Sequence, residues 1–233
     1  MNLNKESQRK DWDKLWFAYD AKPQVYRSSE KQNSAGLVAI HRLKAFRLVI
    51  TGNPGAGKHT SARLIADRLG AQIIDINKVA LENNAVLLKT SHGADVDVKK
   101  LTKVMATALK KKKGSFVIVG HLAPYVLKGT GIDMAAVLRR SPGKMESTLA
   151  ERKYTREKIN ENISAEILGV LLYDAIKAFG KRKVGEFDTT NRTPEETAEQ
   201  IIAALQKKSA KRVGVVDWLA ILSEEEVQKF FAY

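Results

Sequence analysis

A chain of 233 residues, 44% hydrophobic and 28% charged, can bury one core of ordinary size; with no apolar run near the roughly 18 residues of a membrane-spanning helix and the polar opening MNLNKESQRKDWDK, it reads as a soluble cytoplasmic protein with no membrane partner. It has no cysteine, which excludes disulfides, thiolate metal sites and cysteine nucleophiles, and its four histidines (His41, His59, His92, His121) lack ligand spacing. A formal net charge of +14 fits either a polyanion partner such as RNA or a solubilising coat of lysines.

Residues 1–45 read as an extension. Trp12, Leu15, Trp16 and Tyr19 recur at the i, i+3, i+4, i+7 spacing of a short amphipathic helix, Arg27 to Ser34 is polar, and Leu37 to Ile40 is apolar. From Phe46 onward strand and helix signals alternate. RLVIT (47–51) predicts a buried strand, and the glycine-rich stretch after it leads into a helix that Gly70 stops near Leu69. AQIID (71–75) is the next strand, helices are expected near 78–88 and 98–113, and SFVIVG (115–120) is the most apolar strand. Lys99, Lys100, Lys103 and Lys110 to Lys113 mark a solvated face on the second of those helices. MAAVLRR (134–140) predicts a strand, 143–152 and 155–179 predict helices, and VGEFDTT (184–190) predicts the last strand. Thr193, Pro194 and Glu196 form a capping-box start for a helix over 194–208. Alternation of this kind predicts a parallel α/β sheet with helices on both faces.

The chemistry is concentrated in Gly52-Asn53-Pro54-Gly55-Ala56-Gly57-Lys58-His59-Thr60. Glycines between a buried strand and a helix let backbone N–H groups turn inward around a phosphate, the helix N-terminus adds its dipole, and Lys58 adds a charge. This is the spacing of a P-loop. The loop residues Gly52, Pro54, Gly55, Ala56, Gly57, Lys58, His59 and Thr60 are therefore the candidate nucleotide cradle. In the usual motif a Ser or Thr follows the lysine and its hydroxyl ligates magnesium. Here His59 takes that place and Thr60, one position on, is the candidate metal ligand.

With that loop, VIVGHL (117–122), VLR (137–139), LAERKYTREKINENISAEI (149–167), EFDTTNRTPEE (186–196) and VDWL (216–219) make the chain resemble the adenylate kinase isoenzyme 6 family, with matches in one order across about 46–220. The resemblance implies a P-loop NTPase fold of the nucleoside monophosphate kinase type, a five-stranded parallel sheet carrying a small lid. It implies an AMP-side segment near 75–98, a lid near 151–161, and a C-terminal helix or tail over 221–233. By the same resemblance Arg152 is the lid arginine that meets the phosphates of ATP, Arg139 and Arg192 are further phosphate contacts, and Lys58, Arg152 and His121 are the catalytic set. Val119 stands where the family carries a carboxylate that organises magnesium water, and Thr148 stands where it usually carries another arginine; Asp75 and Asp188 are the nearest alternative carboxylates. The implied activity is ATP plus AMP to two ADP, or ATP hydrolysis, with ATP and Mg2+ as cofactors. The family also assists small ribosomal subunit maturation, which implies a ribosomal protein and rRNA as partners. His59 and Val119 point instead to a catalytically weak, nucleotide-responsive assembly factor. An RNA-binding protein indifferent to nucleotide would leave the glycine-rich loop without a purpose.

Overall fold

The computed structural model describes residues 44–90, 93–111, 113–128, 130–207 and 212–231. The aromatic helix expected over Trp12 to Tyr19 and nearly all of the 1–45 extension lie outside them. Five strands, β1 (Arg47–Gly52), β2 (Gln72–Asp75), β5 (Phe116–Val119), β6 (Met134–Arg139) and β7 (Val184–Asp188), form one sheet in the order β2-β5-β1-β6-β7. Every pairing in it is parallel, with Leu48 opposite Val117 on one side and Met134 on the other. The expected five-stranded parallel α/β fold is the one found. The short strands β3 (Val86–Thr90) and β4 (Gly93–Val96) pair antiparallel as a separate hairpin.

β1, β5 and β6 are largely apolar runs without polar alternation because both faces of the sheet are covered there. Every residue of β5 and β6 is buried. Val49, Ile118, Ala135 and Val137 project into one core with Leu101, Met105 and Leu109 of α3 (Val98–Lys111). Leu48, Ile50, Val117, Met134 and Leu138 project into the other, against Ile65 of α1 (Lys58–Leu69) and Ile201 of α8 (Pro194–Leu205). Each such Leu or Ile, fully buried, contributes about 1.5–3 kcal/mol. The remaining helices are α2 (Ile76–Glu82), α4 (Ala123–Val126), α5 (Pro142–Glu151), α6 (Arg156–Ile167), α7 (Val170–Phe179), α9 (Trp218–Ile221) and α10 (Glu224–Phe231). A third cluster joins Met145, Leu149, Ile159, Ile163 and Ile167 of α5 and α6 to Trp218 and Phe230 near the C-terminus.

Two helix expectations need correction. The helix predicted over 78–88 ends at Glu82, because Asn83 caps it and Asn84 turns with φ 51°, after which the chain enters β3. The single helix predicted over 155–179 is two, divided at Gly169, whose φ of 64° a right-handed helix cannot continue through. The predicted start of α8 holds: Thr193 Oγ1 accepts from the Glu196 amide at 3.1 Å and the Glu196 carboxylate accepts from the Thr193 amide at 2.8 Å. Among the described residues no helix is long and apolar enough to cross a membrane. Because all five strands run the same way, their C-terminal ends share one edge. The connection leaving β1 crosses to β2 on one side, while that leaving β5 crosses to β6 on the other. A crevice for a ligand opens at such a reversal, between the ends of β1 and β5.

Candidate functional site

The loop at the end of β1 is shaped by close backbone approach. Gly52 sits at φ 148°, and a Cβ there would stand 2.5 Å from the Leu138 carbonyl oxygen of β6, so only glycine fits. Gly57 caps α1 in the left-handed region at φ 87°, with open space where a side chain would be. Among the described residues no side chain caps α1. Its first amides therefore face the crevice at the positive end of the helix dipole, as an anion site requires. Ala56 is buried and its amide closes the turn on the Asn53 carbonyl at 3.2 Å, while Pro54 is half-buried.

Lys58 folds back under this loop. Its Nζ donates to the Asn53 carbonyl at 2.9 Å and the residue is 7% exposed. Burial, followed by repulsion from Arg152, pulls its amine from the usual 10.5 to about 8, against the opposing pull of Asp75 and Glu166. Beside it, His59 Nε2 stands 3.0 Å from Asp75 Oδ2. Burial would raise the Asp75 carboxyl, but the hydrogen bond and charge of His59, with the Lys78 and Asn77 amides, hold it below its ordinary value. At the end of β5, burial and then the charges of Lys58 and Lys158 push His121 from 6.5 to about 4, so its imidazole is neutral at neutral pH. Lys58, His59, His121 and Arg152 are thus brought to one edge of the sheet, together with Asp75.

Arg139 is not among them. The resemblance placed it against phosphate, but the structure turns it into the core at 3% exposure, where Nε donates to Glu166 Oε1 at 2.6 Å and Nη1 to Glu186 Oε1 at 2.5 Å. The neighbouring Arg140 meets the loop instead, donating from Nη1 to the Gly55 carbonyl at 2.9 Å while its buried Nε has no hydrogen-bond partner among the described residues. Arg192 donates to the Asp188 carbonyl in the turn after β7. That turn touches the loop through Thr189, whose hydroxyl donates to the Ala56 carbonyl at 3.3 Å. Sequence reasoning also missed Asn53 and Glu166, joined by a 2.7 Å hydrogen bond from Nδ2 to Oε2. A signal for Glu166 was present: it falls on the apolar stripe of Ile159, Ile163 and Ile167 in α6, and a carboxylate there is buried.

Magnesium needs a near-octahedral set of oxygens. Asp75 uses Oδ1 to accept the Asn77 and Lys78 amides and Oδ2 for His59. Thr60 is exposed on α1, Val119 is buried among apolar side chains, and no group of three or more His, Asp or Glu suited to a metal occurs among the described residues. These donors do not fit a magnesium ion held by the protein.

A family model described as an AAA domain matches residues 48–169. A protein from Thermococcus gammatolerans named "Putative adenylate kinase" is 36% identical over 177 residues, which cover 76% of this chain and 95% of that one. One of the same name from Methanocaldococcus jannaschii is 35% identical over 190 residues, covering 80% and 96%. Among solved structures, shikimate kinase from Acinetobacter baumannii in complex with shikimate aligns with a TM-score of 0.49 at 13% identity, over 71% of this chain and 96% of that one.

Proposed function

Since this chain belongs to the adenylate-kinase-like family of P-loop proteins, we propose that it binds ATP at Gly52–Thr60 and transfers the terminal phosphoryl group to AMP. The observation that carries this reading is Lys58, buried beneath an open glycine cradle and pinned to the Asn53 carbonyl, with Arg152 close enough to depress its amine. A triphosphate entering the cradle meets the α1 amides and exchanges the Asn53 carbonyl for a stronger acceptor on Lys58. An AMP phosphate oxygen then attacks the γ-phosphorus, the bond to the bridging oxygen breaks, and ADP leaves. Catalysis here is the neutralisation of charge spread over the equatorial oxygens, which Lys58, Arg152 and Arg140 supply. Neutral His121 at the end of β5 is a hydrogen-bonding group for an attacking phosphate or water.

A second reading, a nucleotide-responsive factor for small-subunit assembly with weak turnover, is favoured by His59 and Val119 at the two positions that ordinarily organise magnesium, and the net charge of +14 suits an RNA partner. Calorimetric titration with ATP, beside ADP formation with and without AMP and magnesium, tests both. Binding with AMP-dependent turnover establishes the kinase, binding without turnover the sensor, and no binding sinks both.

A further inference from the structure

Behind the loop, two buried carboxylates share one buried guanidinium. Glu166 is 1% exposed, Glu186 5% and Arg139 3%. One arginine cannot balance two carboxylates, so the surplus charge needs other donors, and a buried ionised group left without them is strongly destabilising. The C-terminal segment supplies two of them. The Val215 amide donates to Glu186 Oε2 at 2.7 Å, and Trp218 Nε1 donates to Glu166 Oε1 at 3.0 Å. On the other oxygen of Glu166 sits Asn53 Nδ2 at 2.7 Å, and the carbonyl of the same Asn53 holds Lys58 Nζ at 2.9 Å. A continuous path of hydrogen bonds therefore runs from the indole of Trp218, through Glu166 and Asn53, to the loop lysine.

We infer that Trp218 is a positioning residue for the phosphate loop: by holding Glu166 it fixes the Asn53 side chain, and with it the backbone carbonyl that parks Lys58. Docking of the C-terminal segment and occupancy of the loop are then coupled, and linkage makes the coupling reciprocal. The inference rests on the reading that the loop binds ATP. Trp218 also packs in the third cluster with Met145, Leu149, Ile163 and Phe230, so a purely structural role has to be separated from the positioning one.

Trp218→Phe in the full chain does this, since it keeps an aromatic ring in the cluster while removing the Nε1–H donor along with part of the ring. The control is Ile163→Val, which trims the same cluster without touching Glu166. ATP affinity by calorimetry and thermal stability are measured for the parent and both variants. Trp218→Phe is expected to weaken ATP binding about tenfold or more, the low end of the scale of one lost hydrogen bond to a charged group, while Ile163→Val lowers the melting temperature and leaves affinity within twofold. Equal affinity in Trp218→Phe and parent overturns the positioning role. Failure of the parent itself to bind ATP overturns the functional reading and this inference with it. Should Trp218→Phe not fold, amide exchange of the parent decides: ATP is expected to slow exchange over residues 214–222, and unchanged rates there overturn the coupling.

Discussion

Replacing Lys58 with Met separates what the loop lysine does for binding from what it does to stability. The folded protein holds the Lys58 amine at about 8 against 10.5 in an open chain, with burial the main cause and Arg152 the second. At about 1.4 kcal/mol for each pH unit, carrying that charge into the fold costs about 3 kcal/mol. The sign follows from proton counting: between pH 8 and 10.5 the unfolded chain holds a proton that the folded one has released, so the unfolding free energy rises with pH through that window. Below pH 8 the penalty is present in full. Methionine removes it, and loses the hydrogen bond to the Asn53 carbonyl, worth about 1.5–3 kcal/mol for a charged donor. Lys58→Met is therefore expected to be as stable as the parent or more so, by up to about 1.5 kcal/mol, at pH 7 by urea denaturation, with the gain shrinking from pH 8 upward, while ATP affinity falls at least tenfold. A variant less stable than the parent at pH 7 would refute the desolvation argument, and one that binds ATP as well as the parent would refute the loop assignment.

Val119→Asp places a carboxylate beside the loop and is expected to raise magnesium-dependent turnover while lowering the melting temperature, because the site is buried; unchanged turnover in folded protein would refute a limiting role for Val119. Arg139→Met leaves Glu166 and Glu186 without their guanidinium and is expected to destabilise by about 3–5 kcal/mol, so a denaturation midpoint like the parent's would contradict the buried triad. His121 is depressed to about 4, so its contribution to stability is present above pH 6.5 and lost as pH falls from there toward 4; His121→Gln should flatten the acid limb of the stability profile, and an unchanged limb would refute the burial assigned to the imidazole. Filter binding to small-subunit RNA is expected to weaken steeply between low and physiological salt and to drop when Lys99, Lys100, Lys103 and Lys110 are changed to Ala. Binding indifferent to salt would leave those lysines a solubilising coat.

The loop was legible because its requirements are local: glycines at fixed offsets, an apolar strand before and a helix after. The five strands of the parallel sheet were legible too, and β5 and β6 most plainly, as short apolar runs buried on both faces. Local pattern failed where neighbouring signals competed. The apolar residues up to Leu88 suggested a longer helix, but Asn83 and Asn84 end it and leave Val86 to pair in a hairpin. Arg139 and Arg140 are adjacent, and composition cannot say which one a sheet edge turns inward. That choice is made by Glu166 and Glu186, 27 and 47 residues further on.

The same long-range choice bears on the charge of the loop lysine. Burial and the charge of Arg152 pull the Lys58 amine toward neutrality. Asp75 and, after it, Glu166, the carboxylate that Arg139 shares with Glu186, raise the same amine. Lys58 is thus balanced between burial with Arg152 on one hand and these two carboxylates on the other, with its proton retained to about pH 8. A nucleotide phosphate arriving at the loop adds to the anionic side of that balance. Binding should then draw a proton onto Lys58 whenever the solution lies above pH 8, an uptake that calorimetry in buffers of different ionisation enthalpy detects.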